Sequence, residues 1–187
     1  KTVFETYEST LDAYSNQGIV ARGDDELFIC VRTKQGESIL YRVKPSNQLG
    51  TGYGVEVGRL SGFTVDCIWY AAGVLFMGGT STTTGVGERV IYYAKGTELG
   101  SFGLLRQDED FTDAKPIIST EAARMDRTFF LAPTGSSSNT WTLFTIDLLT
   151  GAMFGGPEFT SVDEPNSVTD FLGRIFVTQD KESSSAN

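Results

Sequence analysis

Four short runs of the form apolar-Phe-apolar recur along the chain: Leu27-Phe28-Ile29, Leu75-Phe76-Met77, Phe129-Phe130-Leu131 and Ile175-Phe176-Val177. Their phenylalanines are 48, 54 and 46 residues apart. A repeat of that length confines a chain to folds made of stacked copies of one small supersecondary unit, because such a unit cannot bury its apolar faces alone. After each of the first three runs comes a second apolar stretch, Ile39 to Lys44, Val90 to Lys95 and Thr142 to Asp147, whose aromatics Tyr41, Tyr92 and Phe144 repeat at 51 and 52 residues. A glycine-rich stretch then follows, at Gly54 to Gly58, Leu99 to Gly103 and Gly151 to Gly155. Before each phenylalanine run lies a shorter apolar one, at Ile19-Val20, Val65 to Tyr70, Ile117-Ile118 and Val168 to Leu172.

Within every unit, β-branched and aromatic residues alternate with clusters of Gly, Ser, Thr, Asn and Asp, and no stretch keeps a 3.6-residue apolar spacing. The one helical candidate is Ser119 to Met125, which fits a turn of helix or an irregular strand edge. The expected class is therefore all-β. Four strands in about 50 residues, repeated in fixed order, predict a β-propeller-type array of about four four-stranded repeats, complete in itself or part of a larger propeller. A β-sandwich is the alternative.

The predicted organisation is one domain or fragment over residues 1–180, with repeat units at about 19–60, 63–106, 115–157 and 167–180, followed by a low-complexity tail at 181–187. The fourth unit holds too few residues for four strands. Either Thr2-Val3-Phe4-Glu5-Thr6-Tyr7 completes it or the chain is cut from a larger propeller. Phe4 precedes Phe28 by only 24 residues, where the matching steps inside the chain are 35, 38 and 32, and that favours the fragment.

Composition removes several function classes. The chain of 187 residues has no histidine, which excludes Ser-His-Asp and Cys-His catalysis, His-ligated zinc and imidazole pH switching within it. Its net charge of −9 is concentrated in residues 95–187, which carry 7 basic and 14 acidic groups against 8 and 10 in residues 1–94, and so opposes nucleic-acid binding. No apolar run has the roughly 20 residues of a membrane helix, so no membrane insertion is expected. The start Lys-Thr-Val fits a processed chain or a fragment. Cys30 and Cys67 both sit in apolar, strand-like runs; two buried free thiols are favoured over a disulfide between neighbouring strands.

Few constellations could carry chemistry. Asp108, Glu109, Asp110 and Asp113 concentrate oxygen ligands suited to calcium, but without the glycine and distal Glu of an EF-hand loop they read better as a solvated loop. Asp66, Glu121, Asp126 and Asp170 are candidates for a glycoside-hydrolysing carboxylate pair, which needs two acids about 5–10 Å apart in a cleft. Tyr53, flanked by glycines, fits glycan stacking or plain loop packing, whereas Trp69 and Trp141 read as packing between units. The loops 78–87 and 134–139 lack the Gly-Lys-Ser/Thr ending of a phosphate loop. No catalytic, cofactor-binding or metal-binding residue is assigned, and no cofactor is expected.

Val74 to Gly79 followed by Arg89 to Tyr93 resembles a kelch blade with its double glycine after the second strand, but the other units lack that pair there and the downstream Trp is missing. No Trp-Asp dipeptide of the WD type and no sialidase Asp-box occurs. The degenerate units, the long Ser/Thr/Gly loops and phrases such as Tyr92-Tyr93-Ala94-Lys95-Gly96 and Thr145 to Gly151 resemble the propeller-like domains of bacteriophage minor tail and tail-tip proteins over residues 19–180. The resemblance implies a non-enzymatic structural or binding module in a virion or extracellular assembly, with other protein chains and a cell-surface glycan or receptor as partners. A lectin-like glycan-binding propeller is the alternative, and a carboxylate-based glycoside hydrolase the second.

Overall fold

The computed structural model describes residues 20–23, 26–32, 37–43, 54–82, 88–95, 102–107, 111, 116–119, 123–124, 126–134, 139–161 and 165–179. Among them every regular element is a strand, and the strands form small antiparallel sheets. The first sheet joins β1 (Val20–Arg22), β2 (Leu27–Arg32), β3 (Glu37–Val43) and β4 (Gly54–Ser61) in sequence order. The second joins β5 (Phe63–Ala71), β6 (Val74–Ser81), β7 (Glu88–Lys95) and β8 (Gly103–Gln107) in the same way. The third holds β9 (Ala123–Arg124), β10 (Arg127–Pro133), β11 (Thr140–Asp147) and β12 (Met153–Thr160), and the fourth is the hairpin of β13 (Pro165–Phe171) and β14 (Arg174–Gln179). The described strands do not close into a barrel or a ring.

Alternation of side chains across each strand gives a sheet two faces, and here both faces of the second sheet are apolar. One face, with Phe63, Val65, Ile68, Leu75 and Met77, packs on Ala21, Phe28, Cys30 and Leu40 of the first sheet. The other, with Cys67, Trp69, Phe76 and Ile91, packs on Phe130, Ala132, Phe144 and Ile146 of the third. Trp69 stacks on Phe76 at 5.3 Å between centroids, and its indole N–H donates to Thr128 Oγ1 at 3.0 Å, tying the two sheets by a buried hydrogen bond. The opposite face of the third sheet, with Leu131 and Trp141, meets Val168 of the hairpin. Both tryptophans thus pack between sheets.

A bulge lets β5 serve both of its neighbours. Val65 pairs with Gly79 and Cys67 with Gly78, so Asp66 is left without a cross-strand partner. A bulge shifts the alternation by one residue and re-aims the extra side chain. The double glycine answers the same close approach: a Cβ on Gly79 would overlap the Thr64 carbonyl and the Phe63 ring.

In detail, some expectations hold and others are corrected. Ala123 and Arg124 pair with Thr128 and Arg127, so this part of the 119–125 candidate is a strand edge and no helix. Ile117-Ile118 forms no strand; Ile118 makes an isolated bridge to Leu131, extending the edge beside β10. The glycine-rich strands start later than predicted, β8 at Gly103 and β12 at Met153. Cys30 and Cys67 are buried and free, on different sheets. Residues 2–7, the loop around Tyr53, Asp108, Glu109, Asp110, Asp113, Glu121 and the tail 181–187 lie outside the described residues.

Candidate interaction surface

Among the described residues, the fourth sheet has one covered face and one open face. Cross-strand pairs share a face, and β13 pairs Val168 with Val177, Thr169 with Phe176, Asp170 with Ile175 and Phe171 with Arg174. Val168 and Ile175 look toward the third sheet, where Ile118, Leu131, Trp141, Phe129, Leu143 and Phe159 receive them. The opposite face presents Phe171 at 62% and Phe176 at 44% exposure, their ring centroids 6.4 Å apart. Phe176, the fourth copy of the repeated phenylalanine, is thus exposed where Phe28, Phe76 and Phe130 are buried.

The turn of this hairpin adds a third apolar side chain. Leu172 (φ 50°) and Gly173 (φ 74°) fill a two-residue loop with left-handed backbone at both positions, and the β5–β6 turn does the same with Ala72 (φ 45°) and Gly73 (φ 81°). Such loops favour Asn-Gly or Asp-Gly, since a side-chain-bearing L-residue there costs about 1–2 kcal/mol. Leu172 carries that strain and is 86% exposed, so within the chain it contributes no burial in return. Apolar residues grouped in this way on a surface mark contact sites.

A cleft of about 230 Å³ opens between the second and third sheets, over Phe76, Tyr93 and Ile146, with Lys95, Leu104 and Leu149 at its rim. Asp147 borders it, but its Oδ1 is engaged by its own turn, accepting from the Leu149 N–H at 3.0 Å, the Thr150 N–H at 2.8 Å and the Thr150 hydroxyl at 2.9 Å. The Thr150 and Leu149 donors hold the Asp147 carboxyl below the usual range. Polar groups thus share the lining of the cleft with its apolar side chains.

Of the candidate carboxylates, Asp66, Asp126 and Asp170 are among the described residues, and each has its own setting. Asp66 is almost buried on β5 and forms an ion pair with Arg89 of β7, and its Oδ2 also accepts the Ile117 N–H at 3.0 Å. Burial raises its carboxyl above the usual range against the pull of Arg89 and of the Ile117 amide. Asp126 is an exposed turn residue 3.8 Å from Arg127, and Asp170 lies on β13 with a buried Oδ1 that accepts no hydrogen bond among the described residues. The thiols are similarly withdrawn: burial pushes Cys30 up to about 12, and Cys67 upward as well.

Phe171 and Leu172 were not legible as surface residues from apolar patterning, which places them at the end of a core strand. The available clue was the turn itself, where leucine stands in a position that favours asparagine. No family model matches the chain, and no curated protein matches it significantly.

Proposed function

We propose that the chain is a non-enzymatic, propeller-type module of a larger assembly, in which the open face of the fourth sheet seats a partner chain. The observation that carries this reading is the cluster of Phe171, Leu172 and Phe176. Full burial of such side chains is worth about 2 kcal/mol each, and the strain at Leu172 adds to what the isolated chain leaves uncompensated. Burial in an interface recovers the apolar contribution and offsets the strain. The stacking of the sheets supports their being blades of one array, since a blade with two apolar faces needs a neighbour on each side. A virion or extracellular setting, with loops presented to partner chains or a host surface, rests on the resemblance to phage tail and tail-tip domains.

The test compares the native chain with a Phe171→Ser/Leu172→Asn/Phe176→Ser variant by light scattering over a concentration series and by thermal unfolding. The expected result is concentration-dependent self-association of the native chain through its open face. The variant should stay monomeric with an unchanged or higher Tm. A native chain that stays monomeric throughout, with a variant whose Tm falls by about 10 °C or more, would make this face part of the chain's own core and end the reading.

A further inference from the structure

β14 has the sequence of an inner strand and the position of an outer one. The apolar-Phe-apolar run lies on the second strand of all four sheets. In the first three, that strand is hydrogen-bonded on both sides, β2 to β1 and β3, β6 to β5 and β7, β10 to β9 and β11. Among the described strands, β14 is paired with β13 alone.

The last strands of the other sheets are guarded against pairing. β4 carries Glu56 and Arg59 and meets β3 through a bulge between Leu40 and Tyr41. β8 meets a bulge between Ile91 and Tyr92, and β12 carries Pro157 and Glu158 and meets a bulge between Thr142 and Phe144. Charges, prolines and bulges are the devices that keep a sheet edge from recruiting another strand. β14 has one charge, Arg174 beside its turn, and an unbroken register from Thr178 to Arg174.

The register also identifies the groups on offer. A two-residue turn with positive φ at both positions makes its flanking residues, Phe171 and Arg174, a hydrogen-bonded pair. Such pairs alternate along an antiparallel ladder, so Thr169 and Phe176 form the next one, and the N–H and C=O groups of Ile175 and Val177 point away from β13. Phe154 of β12 shares its face with Thr145 and Phe129, the face of the third sheet that meets the hairpin, and is 58% exposed. A strand laid along β14 would lie over that exposed part of the third sheet.

We propose that the open edge of β14 accepts an extended segment of the partner chain as an antiparallel third strand, a proposal that rests on the docking reading above. The chemistry of the segment is set by the strands that hold this place elsewhere, Ile39-Leu40-Tyr41, Val90-Ile91-Tyr92 and Thr142-Leu143-Phe144: uncharged, with an aromatic following an aliphatic residue. In the third sheet Arg127, at the start of β10, faces Asp147 at the end of β11. Arg174 at the start of β14 favours the same acidic ending.

The test titrates the full chain into a fluorescent synthetic peptide, Thr-Trp-Thr-Leu-Phe-Thr-Ile-Asp, the sequence of residues 140–147, followed by anisotropy. Saturable binding is expected, weakened at least tenfold by Val177→Pro, which removes an outward N–H. Two further peptides, N-methylated on alternate amides of one edge or the other, keep the result independent of how that variant folds. One should bind and the other should not. No saturable binding, or equal binding of both methylated peptides, overturns the proposal. If no peptide binds while the Phe171/Leu172/Phe176 variant still abolishes self-association, strand addition fails and the docking reading stands.

Discussion

Asp66 and Arg89 show how a residue that looks chemical in a sequence becomes structural in a fold. The bulge in β5 turns Asp66 onto Arg89 and the Ile117 amide, inside the face that meets the third sheet. Removing one member of a buried pair strands the other, so Asp66→Ala should lose about 3 kcal/mol in denaturant unfolding. Replacing both, as Asp66→Leu/Arg89→Met, should stay within about 1 kcal/mol of the native chain. The pH dependence has a definite sign. The Asp66 carboxyl is raised in the fold, so its contribution is complete below its unfolded value of about 3.8 and declines as pH rises through the folded value. The stability of the native chain relative to Asp66→Asn should therefore fall as pH climbs from about 3.8. Asp147 runs the other way: its carboxyl is lowered, so its turn is fully held above 3.8 and loosens as pH falls through the folded value. Protection of the Leu149 and Thr150 amides, measured against their intrinsic exchange at each pH, should fall over that acid range, and protection unchanged to the acid limit would contradict the clamp. Neither role was legible in the sequence, because the bulge that aims Asp66 depends on pairing with β6.

At the scale of elements, the phenylalanine runs were legible because an apolar trio is sufficient to mark a strand, although the fourth shows that it does not fix how far that strand is buried or paired. The short edge strands were less so. β9 has two residues and is held by pairing with β10, and the glycine-rich stretch at Gly151 overlaps the turn before β12, which pushed the predicted start of β12 too early. Turn chemistry supplies a further expectation. Leu172→Asn places a residue tolerant of left-handed backbone where leucine is strained, so the hairpin should gain about 1 kcal/mol in thermal unfolding. The same substitution should weaken self-association by removing an apolar contact. A loss of stability would mean that Leu172 packs within the chain.

For the molecule as a whole, stacking explains why the first three sheets hold one another and why the fourth ends on an open edge and an apolar face. The apolar cores lie between sheets, so each sheet is completed by the next, and the fourth has a neighbour on one face among the described strands. Periodicity carried the all-β reading because alternation and turn residues are local properties. The outward face depends on whether another sheet stacks beyond the fourth, a property of the array that no single repeat encodes. Hydrogen exchange of the full chain tests this directly by comparing β14 with its counterparts. Amides of β2, β6 and β10 should be protected along both edges, while Ile175 and Val177 exchange at rates close to those of an unpaired chain. If those two are as slow as the amides of β6, the edge is already covered and the fourth sheet is not open.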